Sequence, residues 1–346
     1  MQNYIQNNLT AYASPGASTA NWIELGLNLS MFGRHADAIG CFDRALDSDF
    51  GNQDARAYKQ MCLEKLKNPD TCNHFECDTE YADMAYIKGV VLSEIGDYAG
   101  ALACFDKAIG YDSDFISAFY HKGLTLVKIN RHEEAIGCFD AAIALSPADV
   151  EMLHDKGAAL IKTGRHEEAI KCYDQAIELK ADDLYAWLKK GHALHNCSNY
   201  QQAIRCYDRA LSIDNRSLMA WHLRGLALHE QGVASCVTHK FEEALKCFRN
   251  ALEIDPRDAD VMLDRAKTLV SLGRHDDATA CLDKIIELDK SNDQAWAAKG
   301  DILKTLSRFD QALQCYDRAL AINPLSPARS EREIITNRIS HKNSSF

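Results

Sequence analysis

The chain has 346 residues, of which 47% are hydrophobic and 26% charged, and its formal net charge is −11. A net negative charge disfavours the phosphate-neutralising surface that non-specific nucleic-acid binding requires. No apolar run approaches the length that crosses a bilayer, and Met1 to Tyr12 lacks the basic start and apolar centre of a secretory signal. We therefore predict a cytoplasmic protein without a nucleic-acid or membrane partner.

One helical-hairpin pattern recurs along most of the chain at a nearly constant interval. A small residue in the first helix of each copy recurs as Gly26, Gly89, Gly123, Gly157, Gly191, Gly225, Ala266 and Gly300. An alanine that opens the apolar stripe of the second helix recurs as Ala38, Ala101, Ala135, Ala169, Ala203, Ala244, Ala278 and Ala312. A unit this short cannot bury its own apolar face, so the pattern predicts copies that stack into one elongated all-α domain.

The copies divide the chain into predicted segments. We place the repeats near residues 19–52, 82–115, 116–149, 150–183, 184–217, 218–258, 259–292 and 293–326. Outside them lie a polar leader at 1–18, an insertion at 53–81, and a capping helix with its tail at 327–346. Glycines that favour a turn between the two helices of a copy are Gly33, Gly96, Gly164, Gly232 and Gly273.

Two irregularities interrupt the period. In the insertion, Asp54 to Lys67 has the apolar spacing of a helix, whereas Asn68 to Thr79 is predicted to be an irregular loop. In the sixth copy, Val233 to Lys240 replaces a single residue, which lengthens the segment between the two helices by seven residues. At the other end, Ala328 to His341 is predicted to form an amphipathic helix that covers the last copy.

Two further columns carry a family resemblance. The bulky first-helix column is Trp22, Ala85, Phe119, Leu153, Trp187, Trp221, Met262 and Trp296. The aromatic second-helix column is Phe42, Phe105, Phe139, Tyr173, Tyr207, Phe248, Leu282 and Tyr316. This combination resembles the tetratricopeptide repeat family, which implies an α-solenoid of about eight helix-turn-helix repeats wound into a right-handed superhelix. The resemblance also implies a concave groove that binds a segment of another protein.

One column departs from the family pattern. The leucine expected before the small residue is replaced by Lys88, Lys122, Lys156, Lys190, Arg224, Arg265 and Lys299. A buried cation is costly unless it is paired. Aspartates that could pair with these cations follow the aromatic column, at Asp43, Asp106, Asp140, Asp174, Asp208, Asp283 and Asp317. We predict a structural ladder of ion pairs, formed either within each copy or with the preceding copy.

Eight of the 13 cysteines form another column, just before the aromatic residue. They are Cys41, Cys104, Cys138, Cys172, Cys206, Cys247, Cys281 and Cys315. Equivalent atoms in stacked helices lie about 10 Å apart, which is beyond the reach of a disulfide. The column therefore predicts reduced, packed thiols.

The resemblance places the groove on first-helix residues beside the packing columns. The predicted partner-binding residues are Tyr86, Tyr120, Lys128, His154, Lys162, Tyr185, Leu188, His192, His195, His222 and His229. Imidazole and aromatic side chains would offer an extended or helical peptide both rigid contact area and hydrogen bonds. The alternative is a solvated polar surface. The paired lysines and asparagines with which some family members bind a chaperone tail are absent from the matching positions.

Metal binding and catalysis have little support. His192 and His195, with His229 opposite, have zinc-ligand chemistry, but no carboxylate or thiol recurs beside them at ligand spacing. Cys72, His74 and Cys77 are closer together, yet a structural zinc site normally needs a fourth ligand, so an ordinary loop is the preferred interpretation. No phosphate-binding or nucleophile motif occurs. We predict no catalytic residue, no metal and no cofactor.

These observations predict a non-catalytic scaffold or adaptor that binds a segment of a partner protein in its groove. The alternative is a targeting or regulatory subunit of an enzyme assembly whose activity lies in another chain. Self-association stays open, because an exposed groove or an uncapped end can accept a second copy of the chain.

Overall fold

The structure, a computed structural model, describes residues 19–31, 35–49, 51–67 and 77–343. All regular secondary structure in these residues is α-helical, which confirms the predicted all-α class. The helices are α1 (Thr19–Met31), α2 (His35–Ser48), α3 (Gln53–Lys67), α4 (Cys77–Glu94), α5 (Tyr98–Tyr111), α6 (Ile116–Lys128), α7 (His132–Leu145), α8 (Val150–Lys162), α9 (His166–Leu179), α10 (Leu184–Asn196), α11 (Tyr200–Ile213), α12 (Leu218–Ser235), α13 (Thr238–Ile254), α14 (Ala259–Ser271), α15 (His275–Leu288), α16 (Asp293–Thr305), α17 (Phe309–Ile322) and α18 (Ala328–Asn343).

The chain forms two compact units, residues 1–159 and 160–346. In the first unit α1 pairs with α2, α4 with α5 and α6 with α7, while α3 packs on α2 and α6 packs on α5. In the second unit α10 pairs with α11, α12 with α13, α14 with α15 and α16 with α17, and each pair packs on the helix before it. This order of neighbours is that of stacked helix pairs, as the repeat pattern predicts.

The small residue and the aromatic residue of each copy touch directly. A Cβ atom added to Gly123 would lie only 2.6 Å from Cε1 of Phe139, whose ring is fully buried. The same close approach recurs between Gly26, Gly89, Gly191, Gly225 and Gly300 and the aromatic residue of the same copy. The copy with Ala266 instead of glycine has Leu282 instead of an aromatic residue. The first-helix glycines are therefore required because the ring lies against the backbone.

The insertion before the second predicted repeat contains the predicted helix, which the structure places at α3. Lys59 on α3 pairs with Asp43 on α2, with the same separation in sequence as Lys122 and Asp106 in a later repeat. Helix α3 therefore packs as the first helix of a further copy. Helix α4 begins at Cys77, so the last three residues of the predicted loop are helical. Residues 68–76 and the predicted leader at 1–18 lie outside the described residues.

The seven extra residues of the sixth copy extend the two helices instead of forming a longer loop. Helix α12 continues to Ser235 and α13 begins at Thr238. Gly232, predicted to lie in the turn, lies inside α12, where a Cβ atom would be 2.9 Å from Cε1 of Phe241. That prediction was wrong because Gly232 packs against the ring of Phe241, so the helix continues past the position of the usual turn.

The glycines predicted for the other described turns do adopt positive φ. The angle is 86° for Gly96, 76° for Gly164 and 74° for Gly273. Gly33, predicted for the turn of the first copy, lies outside the described residues. A left-handed residue of this kind ends the first helix and directs the chain back along it.

Helix α18 packs against the last helix pair through Ile335, whereas Ile334 is 57% exposed. Ile335 is 1% exposed and packs in the same cluster as Leu303 and Tyr316. Two ion pairs attach the helix, one between Arg332 and Asp317 and one between Lys304 and Glu331 at 2.6 Å. The last helix pair is thus covered on the side where another repeat would stack.

Candidate functional site

The predicted cation–aspartate ladder is present, and the structure decides between the two neighbours that the sequence allowed. In each pair the cation binds the aspartate of the preceding second helix. The first unit contains Lys122–Asp106 at 2.6 Å and Lys156–Asp140 at 2.5 Å. The second unit contains Lys190–Asp174 at 2.5 Å, Arg224–Asp208 at 2.7 Å and Lys299–Asp283 at 2.5 Å.

The ladder links neighbouring copies and is structural. The side chains of its lysines and of Arg224 retain 21–32% exposure, so the cations reach past apolar surface to partly solvated carboxylates. Ion pairs with this much exposure contribute about 1 kcal/mol or less each. Their constant separation of 16 residues shows that the same pairing recurs each time a first helix packs on the preceding second helix.

The cysteine column is also structural. All eight cysteines are buried thiols that form no disulfide, as predicted. Burial raises the pKa of Cys206 to about 11 and also raises the pKa of Cys138, Cys247, Cys281 and Cys315. Burial also raises the pKa of Cys104, so these six thiols are protonated at neutral pH, which makes them poor nucleophiles.

Polar side chains on neighbouring first helices bond to each other in the first unit. The Tyr120 hydroxyl donates a hydrogen bond of 2.6 Å to Oδ2 of Asp155, which is 35 residues further along. The Tyr86 hydroxyl lies 3.3 Å from Nδ1 of His121, again 35 residues further along. Both tyrosines were predicted to bind a partner, and the structure shows that their hydroxyl groups are already engaged.

The same arrangement occurs in the second unit. Nε2 of His222 lies 2.8 Å from Oδ2 of Asp264, and Nδ1 of His229 lies 2.9 Å from Oγ1 of Thr268. Burial opposes ionisation of Asp264, but its hydrogen bonds with His222 and Lys267 keep its pKa below the usual value. Two of the predicted groove histidines therefore hold neighbouring first helices together.

His192 and His195 on α10 are different. Among the described residues, none forms a hydrogen bond with either ring, and the edge of the His195 ring contacts Tyr200 at a centroid distance of 5.3 Å. Both side chains are half-buried. Burial and the nearby charge of Lys189 lower the pKa of His192, and burial lowers the pKa of His195 although Glu230 opposes that shift. Both imidazoles are neutral at pH 7, so each offers one hydrogen-bond donor and one acceptor.

Exposed apolar side chains lie on α10 and on the next first helix, α12. Tyr185 on α10 is 41% exposed, and Met219, which occupies the same repeat position on α12, is 55% exposed. The ammonium group of Lys189 lies 5.2 Å from the centre of the Tyr185 ring. We name the side chains of Tyr185, His192, His195 and Met219 the imidazole surface.

The remaining predicted groove residues have varied environments. Lys128 binds Glu94 at 3.3 Å and is exposed, Lys162 is exposed, and His154 is half-buried. Leu188 is only 7% exposed and packs in the core of the second unit, so it has little surface to offer a partner. We therefore leave Leu188 out of the imidazole surface.

No group of three or more metal-ligating side chains occurs in the part of the chain that the structure describes. His192 and His195 do not form such a group with His229, whose ring is bonded to Thr268. Cys72 and His74 lie outside the described residues. None of the described helices is long and apolar enough to cross a membrane.

Comparison with known families agrees with the helix stacking. Four sequence models of the tetratricopeptide repeat match residues 86–150, 157–198 with 191–232, 238–302 and 294–324. The chain belongs to the tetratricopeptide repeat family. Tetratricopeptide repeats are in general non-enzymatic protein-interaction modules. No protein with a curated description matches this tetratricopeptide repeat chain in sequence.

Solved structures share the fold. A tetratricopeptide repeat protein from Parabacteroides merdae is 15% identical with a TM-score of 0.60, over 74% of this chain and 99% of its own. Human IFIT1, in a dimer with m7Gppp-AAAA, is 16% identical with a TM-score of 0.53, over 99% of this chain and 86% of its own. YrrB, described as having an unusual peptide-binding site, is 22% identical with a TM-score of 0.45, over 56% of this chain and 97% of its own. The TM-scores above 0.5 of the first two structures show a shared fold, and identities this low carry no information about the ligand.

Proposed function

We propose that this tetratricopeptide repeat protein is a non-catalytic scaffold that binds a peptide segment of a partner protein on the imidazole surface. The observation that carries the proposal is the contrast between two pairs of histidines. One ring nitrogen of His222 is hydrogen-bonded to Asp264, and one of His229 is hydrogen-bonded to Thr268. His192 and His195 have no such bond among the described residues.

The free imidazoles suit a polypeptide backbone. A neutral imidazole donates through one nitrogen and accepts through the other, so it can bond either a peptide carbonyl or a peptide amide. His192 and His195 are three residues apart on α10, which places them on one face of the helix about one turn apart. Two such groups can bond a backbone without a specific side-chain sequence.

Apolar contacts would add to these hydrogen bonds. Tyr185, on the same helix as the histidines, and Met219, on the next first helix, present exposed ring and thioether surface. Tyrosine provides large contact area at low entropic cost, and methionine adapts to differently shaped side chains. The surface therefore favours a segment with one or two apolar side chains next to an accessible backbone.

In the first unit we propose a second contact area around Tyr86, Tyr120, Lys128 and His154. The tyrosine hydroxyl groups are held by His121 and Asp155, so their contribution to a partner would be the ring faces.

The buried reduced cysteines support a reducing compartment such as the cytoplasm.

The test is a peptide selection on the full chain. A random peptide library is selected against immobilised protein, and the affinity of the selected, fluorescently labelled peptide is measured by anisotropy. Combined His192→Ala and His195→Ala substitutions remove two hydrogen bonds and weaken binding about tenfold. The control is His239→Ala, which removes an exposed imidazole from α13. Equal affinity of the double variant and the control would overturn the proposal.

The oligonucleotide of the IFIT1 complex serves as a comparison ligand. The net charge of −11 predicts no binding of m7Gppp-AAAA at physiological salt. If the library yields no peptide while this RNA binds and the double variant releases it, the surface recognises RNA and the peptide proposal is wrong.

A further inference from the structure

The cation–aspartate ladder is interrupted at one step in the second unit. At each second-unit step whose ion pair is given above, the aspartate precedes its cation by the same separation in sequence, as Asp208 precedes Arg224. Arg265 is the cation of the interrupted step, and the residue at the matching place on the preceding second helix is Arg249. Two guanidinium groups therefore stand at the positions that elsewhere hold a cation and a carboxylate.

The position of Arg265 is that of the other ladder cations. It is half-buried on α14, and its charge acts on the thiol of Cys281, the cysteine of its own copy. Arg224 likewise lies 3.0 Å from the thiol of Cys247 while it binds Asp208. Arg265 thus acts on the cysteine of its own copy, as Arg224 does, but has no aspartate at the matching position of the preceding second helix.

Three acidic side chains on the helices around this step pair with other cations. Asp277 and Glu242 bind Arg274 at 2.7 and 3.7 Å, and Asp283 binds Lys299 at 2.5 Å. Among the described residues, none forms a hydrogen bond or an ion pair with Arg249 or Arg265. The local charge therefore lacks a counter-ion from the described chain itself.

Neighbouring residues make the positive charge stronger. Lys246 is exposed one turn before Arg249 on α13, and Lys284 lies one turn after Cys281 on α15. Two acidic residues of α13 share the helix face of Arg249, namely Glu253 one turn after it and Glu242 two turns before it, and Glu242 pairs with Arg274. Like charges at adjacent ladder positions repel each other, so an anion from outside the chain would lower the energy of the folded state.

We propose that Arg249 and Arg265 form a binding site for a phosphoryl dianion, either free phosphate or the phosphate of a phosphorylated residue on a partner protein. Two guanidinium groups carry two positive charges, which a phosphate monoester at neutral pH balances. Their planar donors match pairs of phosphate oxygens. On α14 this site lies one residue before the small-residue position, on the side facing the second helices, so it is separate from the imidazole surface.

The experiment titrates the full chain with inorganic phosphate by calorimetry, with sodium chloride of equal ionic strength in the reference titration. Charge-assisted hydrogen bonds of this number predict a dissociation constant of about 1 mM. Arg249→Asp restores the ladder carboxylate and is expected to weaken phosphate binding at least tenfold while raising the melting temperature in phosphate-free buffer. Arg249→Gln, which removes the charge without adding an acid, is expected to weaken binding as well.

Controls separate this site from general charge effects and from peptide binding. Arg257→Gln removes an exposed arginine from the loop after α13 and leaves phosphate affinity unchanged. The combined His192→Ala and His195→Ala protein also keeps its phosphate affinity. A phosphoserine peptide and its unphosphorylated form distinguish the two sources, because tighter binding of the phosphopeptide than of free phosphate assigns the site to a partner. Phosphate and phosphopeptide affinities that are equal in the wild type and both Arg249 variants would overturn the proposal.

Discussion

The contact between Gly123 and Phe139 provides a quantitative test of how the repeats pack. A Cβ atom at residue 123 would lie 2.6, 2.9 and 3.0 Å from Cε1, Cδ1 and Cζ of the buried ring. Ordinary carbon contacts are about 3.5–4.0 Å, so the ring or the helix must move by about 1 Å. Overpacking of this kind costs about 1–3 kcal/mol, whereas replacing a helical glycine by alanine stabilises by about 1 kcal/mol. We expect Gly123→Ala to lower the free energy of unfolding by about 1 kcal/mol.

The chain itself suggests the compensating change. Ala266 and Leu282 occupy the same two repeat positions and lie together in the core of the second unit. We therefore expect Phe139→Leu to make room for the new methyl group. Phe139→Leu alone costs about 1–3 kcal/mol through the lost contacts, but the combined Gly123→Ala and Phe139→Leu protein is about 1–2 kcal/mol more stable than the sum of the single changes predicts.

The assay is urea unfolding followed by circular dichroism at 222 nm, with hydrogen exchange of α6 and α7 amides as the local measurement. The matched control is Gly137→Ala on α7, where an added Cβ meets no atom within 4 Å. That change is expected to stabilise by about 1 kcal/mol. If Gly123→Ala stabilises as much as Gly137→Ala, or if the double variant is additive, the ring does not require the glycine.

Three further predictions concern buried polar groups and thiols. Tyr207→Phe removes a buried hydroxyl that has no hydrogen-bond partner among the described residues, so its unfolding midpoint stays the same or rises, whereas Tyr316→Phe loses a 2.7 Å bond to a carboxylate and its midpoint falls. The lowered pKa of Asp264 means that its stabilisation is present above the unfolded value of about 3.9 and is lost as pH falls through the folded value. Asp264→Asn is therefore less stable than the wild type at pH 6, and a deficit of the same size in strong acid would contradict this. A thiol reagent is expected to modify the exposed Cys197 and Cys236 before the repeat-column thiols under native conditions, and mass spectrometry that finds repeat-column thiols modified equally fast would show that they are not packed.

The stacking of helix pairs was predictable because its signals are local and periodic. Gly123 and Phe139 repeat at fixed positions, and their separation identifies two helices in contact. The ladder was only partly predictable. Lys122 lies almost midway in sequence between Asp106 and Asp140, and separation in sequence does not tell which carboxylate is closer in space. Packing of the first helix on the preceding second helix makes that choice.

The environment of the groove histidines needed the structure. His222 and His195 are both first-helix residues beside the packing columns, so the repeat pattern predicts the same environment for both. The structure gives the register between neighbouring first helices. Tyr120 contacts Asp155, 35 residues further along, and His222 contacts Asp264, 42 residues further along because the sixth copy is seven residues longer. With that register known, Asp155 and Asp264 can be found from the sequence. The position of Gly232 was predicted wrongly for a similar reason, since the helix ends depend on contact between the two helices.

We propose that the free imidazoles of His192 and His195 bind a peptide, while His222 and His229 hold the repeats together. Histidine ring resonances of the full chain, labelled with nitrogen-15 and assigned with single substitutions, test it during titration with the selected peptide. We expect the rings of His192 and His195 to shift and those of His222 and His229 to stay within the range seen with a scrambled peptide. Saturable shifts confined to His222 and His229 would contradict the account.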